Sequence, residues 1–278
     1  MTTLDHKIDF AVVFSVQNAN PNGDPLNGNR PRQNYDGYGE VSDVCIKRKL
    51  RNRLQDMGEA IFVQSDDRNN DGFKSLNDRA EAIPELKKIK ADKKGNADMY
   101  ATIASQTWFD VRAFGQVFAF KGDSLSVGVR GPVSIHPAIS LAPIDITSIQ
   151  ITKSVNSVTG DKKGSDTMGM KHRVDFGIYK FFGSINTQLA EKTGFSNADA
   201  EKLKEALISL FENDASSARP EGSLEVHKVI WWEHNSKLGQ YSSAKVHRSL
   251  HVEGQSLSDL TISVEPLEGL EVYELDGK

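Results

Sequence analysis

The sequence predicts an α+β fold in which helices pack on one main sheet. Three observations predict it: an apolar run at Ile8–Val16, amphipathic helical periods at Ser42–Met57 and Phe195–Glu212, and several strand-like runs between and after them. A chain of 278 residues with 38% apolar content can bury one large core or two smaller ones.

Ile8–Val16 (IDFAVVFSV) is dense in β-branched and aromatic residues without strict alternation, the pattern of a buried central strand. The segment Gln17–Glu40 holds Asn22-Gly23 and Asn27-Gly28, which favour positive φ, with Pro21, Pro25 and Pro31. That composition excludes helix and central strand. Ser42 is a candidate N-cap with Asp43 in the first turn. On the helix that follows, Ile46, Leu50, Leu54 and Met57 form one apolar stripe; Lys47, Arg48 and Arg51 face the other way, and Lys49 and Arg53 flank it. Gly58 ends this helix, and Ile61–Gln64 reads as a second strand.

Residues 65–97 are polar and charged, the composition of an exposed insertion. Met99–Phe109 has helical spacing, and Val111–Phe120 (VRAFGQVFAF) turns toward strand composition. Leu125–Val133 and Ile144–Val155 read as strands. The glycine- and lysine-rich run between Val155 and Val174 is flanked by strand patterns, which predicts a long β-hairpin. Asp175–Leu189 is strand-like. Phe195–Glu212 is a helix capped at Ser196 or Asn197, with a stripe of Leu203, Leu207, Leu210 and Phe211. Leu224–Glu233 is a strand, Ser242–Val252 a short amphipathic segment, and Leu260–Pro266 a last strand before an acidic tail. This order fits a ferredoxin-like core with large insertions.

The net charge of −4 excludes a uniformly basic nucleic-acid coat, so local charge decides. Lys47, Arg48, Lys49, Arg51 and Arg53 put five cations within seven residues. A basic run is often a solvated face, but Arg30, Arg32 and an Asn/Gly loop just upstream favour a backbone-phosphate clamp. Lys153, Lys162, Lys163, Lys171, His172 and Arg173 accompany the hairpin, and Met168 and Met170 could wedge against bases. A lone cysteine, Cys45, excludes an intrachain disulfide, makes a cysteine-based zinc site improbable and fits a reducing cytoplasm. The N-terminal MTTLDHKID carries acidic residues where a signal peptide needs a basic region, so a cytoplasmic protein is expected.

Catalytic patterns are sparse. There is no Gly-x-Ser-x-Gly, P-loop or GxGxxG, and no cofactor is expected. His247 and His251 stand at i, i+4 without the glutamate of HExxH and read as a surface pair, not a metal site. His136 and Asp24 are isolated acid/base candidates, Asp24 reading first as a turn former. Trp231 and Trp232 alternate across a strand, which puts one in the core and leaves base stacking by the other as the lesser reading.

The segments FAVVFSVQNANPNGDPLNGNRPR (Phe10–Arg32) and GYGEVSDVCIKRKLRNRL (Gly37–Leu54), with VRAFGQVF, RGPVSI and the Met/Gly-rich hairpin, resemble the backbone subunit of type I-C CRISPR interference complexes (Cascade), of the RAMP superfamily. The resemblance covers nearly the whole chain. It implies a modified RNA-recognition (ferredoxin-like) palm with finger and web insertions and a long thumb β-hairpin. All of these fall in one domain, 1–278, with fingers at 65–97 and thumb at 151–175. It implies head-to-tail homo-oligomers along CRISPR RNA, a guide presented to the target DNA strand, other Cascade subunits as partners, and no catalysis. By position, Asn20, Arg30, Arg32, Lys47, Arg48 and Arg51 would hold guide phosphates, and Lys153, Met168, Met170, Lys171 and His172 would lie on the thumb. Bases left free for pairing require contacts to the backbone. The alternative is a RAMP-type RNA endonuclease, since related type III backbone subunits cut RNA with a first-loop aspartate, here Asp24. A third reading is a protein-interaction domain with no nucleic acid.

Overall fold

β1 (Ile8–Ala19) is the middle of the main sheet and is buried from Ile8 to Val16. Phe10, Val12, Phe14 and Val16 enter a core on one face of the sheet, while Ala11 and Val13 enter another on the opposite face. Two covered faces explain why the run does not alternate. The computed structural model describes residues 2–92, 96–120, 125–155, 159 and 168–278.

After β1 come the short pair β2 (Gly23–Asp24) and β3 (Arg30–Pro31), then β4 (Tyr38–Val41) and helix α1 (Asp43–Asp56). Ser42 Oγ caps α1 by accepting from Cys45 N–H at 3.3 Å, and Ile46, Leu50 and Leu54 are buried as the stripe predicts. α2 (Leu76–Glu81), α3 (Pro84–Ala91), α4 (Ala97–Thr107) and α5 (Phe109–Phe114) follow, then β5 (Gly115–Phe118), β6 (Val127–Arg130), β7 (Val133–Ile135) and β8 (Ala138–Pro143). β9 (Ile146–Thr152) and β10 (Met168–Ile185) form the hairpin arms. α6 (Thr187–Thr193), α7 (Asn197–Ile208), β11 (Leu224–Glu233), α8 (Ser243–Arg248), β12 (Leu250–Glu253), β13 (Thr261–Val264) and β14 (Glu271–Asp276) complete the chain.

The main sheet runs β14-β11-β1-β10-β8-β4, antiparallel throughout, with β7 and β9 pairing other stretches of β10. The sequence β1, α1, β8, β10, α7, β11 in the spatial order β11-β1-β10-β8 is ferredoxin-like. α1 and α7 supply Leu50, Leu54, Leu203 and Leu207 to one face. α8, β12 and β13 cover the other with Val246, Leu250 and Ile262. A further core gathers Phe62, Trp108 and Phe118 with Tyr100 of α4.

Several expectations change. Ile61–Gln64 is not a strand, because Phe62 and Val63 donate their N–H groups to the Asp110 carboxylate at 2.7 and 3.1 Å instead of to a neighbouring strand. Within 65–97, Ala80 and Leu86 enter the Phe62 core, and Arg79 is pinned by Asp71 and Phe62 O. Val111–Phe114 is helical; strand begins only at Gly115, whose φ of 80° breaks the helix. β8 had no clear sequence signal. The hairpin begins at Ile146, earlier than residue 151, and its tip, residues 156–158 and 160–167 with Lys162 and Lys163, lies outside the described residues. β10 ends at Ile185, since Asn186 caps α6 by accepting from Leu189 N–H at 2.9 Å. The acidic tail becomes edge strand β14 on β11, with Lys228 bonded to Asp276 at 2.5 Å. Both tryptophans are core: Trp231 stacks on Phe10 at 5.7 Å, and Trp232 is buried on the opposite face. Neither is free to stack on a base.

Candidate nucleic-acid interface

The hairpin leaves the sheet as a free-standing arm. β1 pairs β10 no further than Val174, so from Met168 to Arg173 the strand paired with β10 among the described residues is β9. Directly opposed residues of an antiparallel ladder share a face. Met168 opposes Thr152, Met170 opposes Gln150 and His172 opposes Ser148, which makes one face; Lys171 opposes Ile149 and Gly169 opposes Ile151 on the other. Met168 and Met170 are 58% and 55% exposed, a cost to folding that points to a partner. Lys153, just past β9, is also exposed.

The first loop is drawn onto this arm. Arg30 Nη1 donates to Ser148 Oγ at 2.7 Å, and His172 Nδ1 meets the same hydroxyl at 2.9 Å. Arg30, Met168, Met170 and His172 therefore gather on one side, while Lys171 is separated from them. Ser148 is the residue the sequence reading missed. Once the hairpin register is set, its place opposite His172 is the signal that finds it.

The loop itself is braced internally. Asn20, 5% exposed, donates from Nδ2 to Asn29 O at 2.7 Å, while its Oδ1 has no partner. Asn22 Oδ1 accepts from both the N–H and the hydroxyl of Ser42, stapling the loop to the start of α1. Gly28 and Asn29 turn the chain at φ of 58° and 60°. Arg32 Nη2 is 3.5 Å from Asp24 Oδ1, and Asp24 also caps its own turn by accepting from Leu26 N–H at 3.2 Å. That is the turn-forming role.

The basic helix is largely spent inside the protein. Arg51 pairs with Asp110 at 2.8 Å, a carboxylate 1% exposed, and Arg48 donates to Val63 O at 2.6 Å. Lys49 is buried against Asp214, which also pairs Arg219 at 2.9 Å; burial pulls the Lys49 ammonium down, opposed by Asp214. Arg53 meets Glu212 at 2.6 Å. Lys47 makes a part-exposed pair with Asp43 at 3.0 Å across one helical turn. Arg48, Lys49, Arg51 and Arg53 bind α1 to its surroundings, while the Lys47 pair stays within the helix. Burial pushes the Cys45 thiol up despite Lys49 and Arg219, the opposite of a reactive cysteine.

The histidine pair dissolves. His247 is 9% exposed on α8, its Nε2 3.2 Å from Gly183 O and 3.6 Å from Asp9 Oδ1; His251, on β12, is exposed and 3.8 Å from Glu265. The chain breaks from helix to strand between them, so the helical spacing does not apply. His136 lies at the surface with its ring 5.7 Å from that of His247, and burial lowers its basicity. Among the described residues, no group of three His, Cys, Asp or Glu is arranged to hold a metal ion. No described helix is long and apolar enough to cross a membrane.

Comparison with known proteins gives a consistent picture. The family model described as CRISPR-associated protein Cas7 matches residues 6–276. A curated relative, CRISPR-associated protein Cas7 of Haloferax volcanii, is 29% identical over 235 residues, covering 78% of this chain and 67% of the relative. A chain in a solved structure titled "CRISPR RNA-guided surveillance complex, pre-nicking" superposes with a TM-score of 0.51 at 17% identity, over 81% of this chain and 75% of that one, and shares the fold.

Proposed function

The chain belongs to the CRISPR-associated protein Cas7 family, and from that premise we propose that it is a backbone subunit of a CRISPR RNA-guided surveillance complex, of the type I-C Cascade kind. In this reading copies polymerise head-to-tail on CRISPR RNA, with other Cascade subunits as partners, and hold the guide by its backbone so that its bases pair with the target DNA strand. The observation that carries it is the free-standing β9–β10 arm with Arg30 drawn onto its Ser148.

Exposed Met168 and Met170 on that face suit wedging against bases, with Arg30 and His172 on the same face for phosphates and Arg32 and Lys153 as further cations of the loop and the arm. The other face, with Ile149 and Ile151 40% and 47% exposed beside Lys171, suits a neighbouring copy. On α1, Lys47 is the cation best placed to serve RNA; Arg48 and Arg51 act on the guide only by positioning the helix, and Asn20 by shaping the loop. Residues 65–97 are the finger candidate, and the hairpin arm that begins at Ile146 is the thumb candidate.

A scaffold role without catalysis is supported by Asp24, whose carboxylate is engaged by Leu26 N–H and faces Arg32. The test uses the purified chain and a CRISPR RNA: RNA-dependent assembly is expected, with no cleavage by wild type in divalent metal. A monomer that ignores the RNA would overturn the reading. Cleavage lost in Asp24→Ala with binding retained would replace it by the endonuclease.

A further inference from the structure

At the other end of β10 from the hairpin face, α4, β6 and α6 enclose a cleft that the guide-binding reading does not use. His172 and Ile185 are thirteen residues apart on one strand, roughly 40 Å at the usual rise, and α6 begins two residues beyond Ile185. A ligand here is not the stretch of RNA on the arm.

Two exposed cations line the cleft, Arg130 at the end of β6 and Lys192 in the last turn of α6, and among the described residues neither forms a salt bridge. Elsewhere among the described residues many arginines and lysines are paired, α1 being the clearest case. Two buried hydroxyl residues line the same cleft. Thr193 is 6% exposed and its Oγ1 has no hydrogen-bond partner, and Ser105 is 2% exposed. A buried hydroxyl without a partner is costly to keep. Asp98 is the only carboxylate lining the cleft among the described residues, so the local balance is one positive charge. Gly128 leaves the wall open, with nothing within 4 Å of where a Cβ would stand.

We propose that this α4–β6–α6 cleft binds a phosphate group. A guanidinium fork, an ammonium and hydroxyl donors together supply more donors than the two oxygens of a carboxylate can use; a phosphate has the oxygens to take them. The phosphate belongs either to the backbone of a nucleic-acid strand or to a free small phosphate, and the chemistry of the cleft is the same for both.

The test is an amide-resolved NMR titration of the full isotope-labelled chain with inorganic phosphate, repeated with a short single-stranded oligonucleotide. Saturable shifts are expected at Gly128, Val129, Arg130 and Thr193. The double variant Arg130→Ala with Lys192→Ala should weaken phosphate at least tenfold, and Arg130→Lys should recover part of the loss. Both side chains are exposed, so a melting curve matching wild type accompanies these variants. Shifts at the same amides with the oligonucleotide assign the phosphate to a strand; shifts with phosphate alone assign it to a small ligand. No saturable shift with either probe, or a double variant that titrates within twofold of wild type, overturns the proposal.

Discussion

Arg30 Nη1 and Ser148 Oγ are 2.7 Å apart, a hydrogen bond across 118 residues of sequence that joins the first loop to the hairpin arm. It turns two separate sequence features into one surface. Neither the loop nor a two-stranded arm outside the sheet would hold a fixed shape alone.

Replacing Arg30 tests that surface. Arg30→Ala should weaken CRISPR RNA binding and lower the slope of log affinity against log salt by about one, as expected for loss of a single phosphate contact. Binding titrations at several salt concentrations measure this. An unchanged slope with unchanged affinity would remove Arg30 from the RNA.

Truncating the methionines separates binding from folding. Met168→Ala with Met170→Ala should reduce RNA affinity about tenfold, near 1.4 kcal/mol, and leave the melting temperature unchanged because both side chains are more than half exposed. A large drop in melting temperature would show that they pack within the subunit.

Arg51→Ala should act oppositely. It strands the Asp110 carboxylate, 1% exposed, with only the Phe62 and Val63 N–H groups as partners. A loss of about 3–5 kcal/mol in denaturant unfolding is expected, with an unchanged salt slope for the RNA that still binds. A stable variant with a lowered slope would return Arg51 to the guide.

Asp9 predicts the acid limb of stability. The carboxyl is fully buried; burial would raise its pKa, but His234 at 2.9 Å and Lys7 at 3.0 Å, with the His247 ring 3.6 Å away, outweigh burial and hold it well below the usual carboxylate range. A depressed folded value means that the stability is present above the unfolded range near 4 and is lost as pH falls through the folded value. Asp9→Asn should therefore cost about 3–5 kcal/mol at pH 7, with the deficit narrowing below about pH 4. Unfolding curves between pH 3 and 7 check this, and a deficit independent of pH would contradict it.

Much of the fold was readable because its strongest elements carry local signals. β11 was placed at Leu224–Glu233, the bounds it has in the fold, and of the two candidate caps of α7, Ser196 and Asn197, the structure uses Ser196, in a capping box with Asp199. Failures arose where distant partners override local pattern. Phe62 gives its N–H to a side chain rather than a strand, Asn186 ends β10 by capping a helix, and Trp232 is covered by the C-terminal segments Ser243–Glu253 and Thr261–Val264, whose local patterns do not say where on the sheet they dock. At the candidate site, Arg30 and the methionines could be picked from the chain, but Ser148 needed the register. The charges of α1 misled for a related reason: their partners Asp110, Glu212 and Asp214 lie 59 to 165 residues away.

If, as proposed, copies of this chain cover CRISPR RNA at a fixed interval through the arm and first loop, limited nuclease digestion of CRISPR RNA bound to the purified chain will leave protected stretches separated by cuts at one regular spacing, with protection lost in Arg30→Glu. Uniform digestion, or a single protected footprint that does not repeat as protein is added, would contradict it.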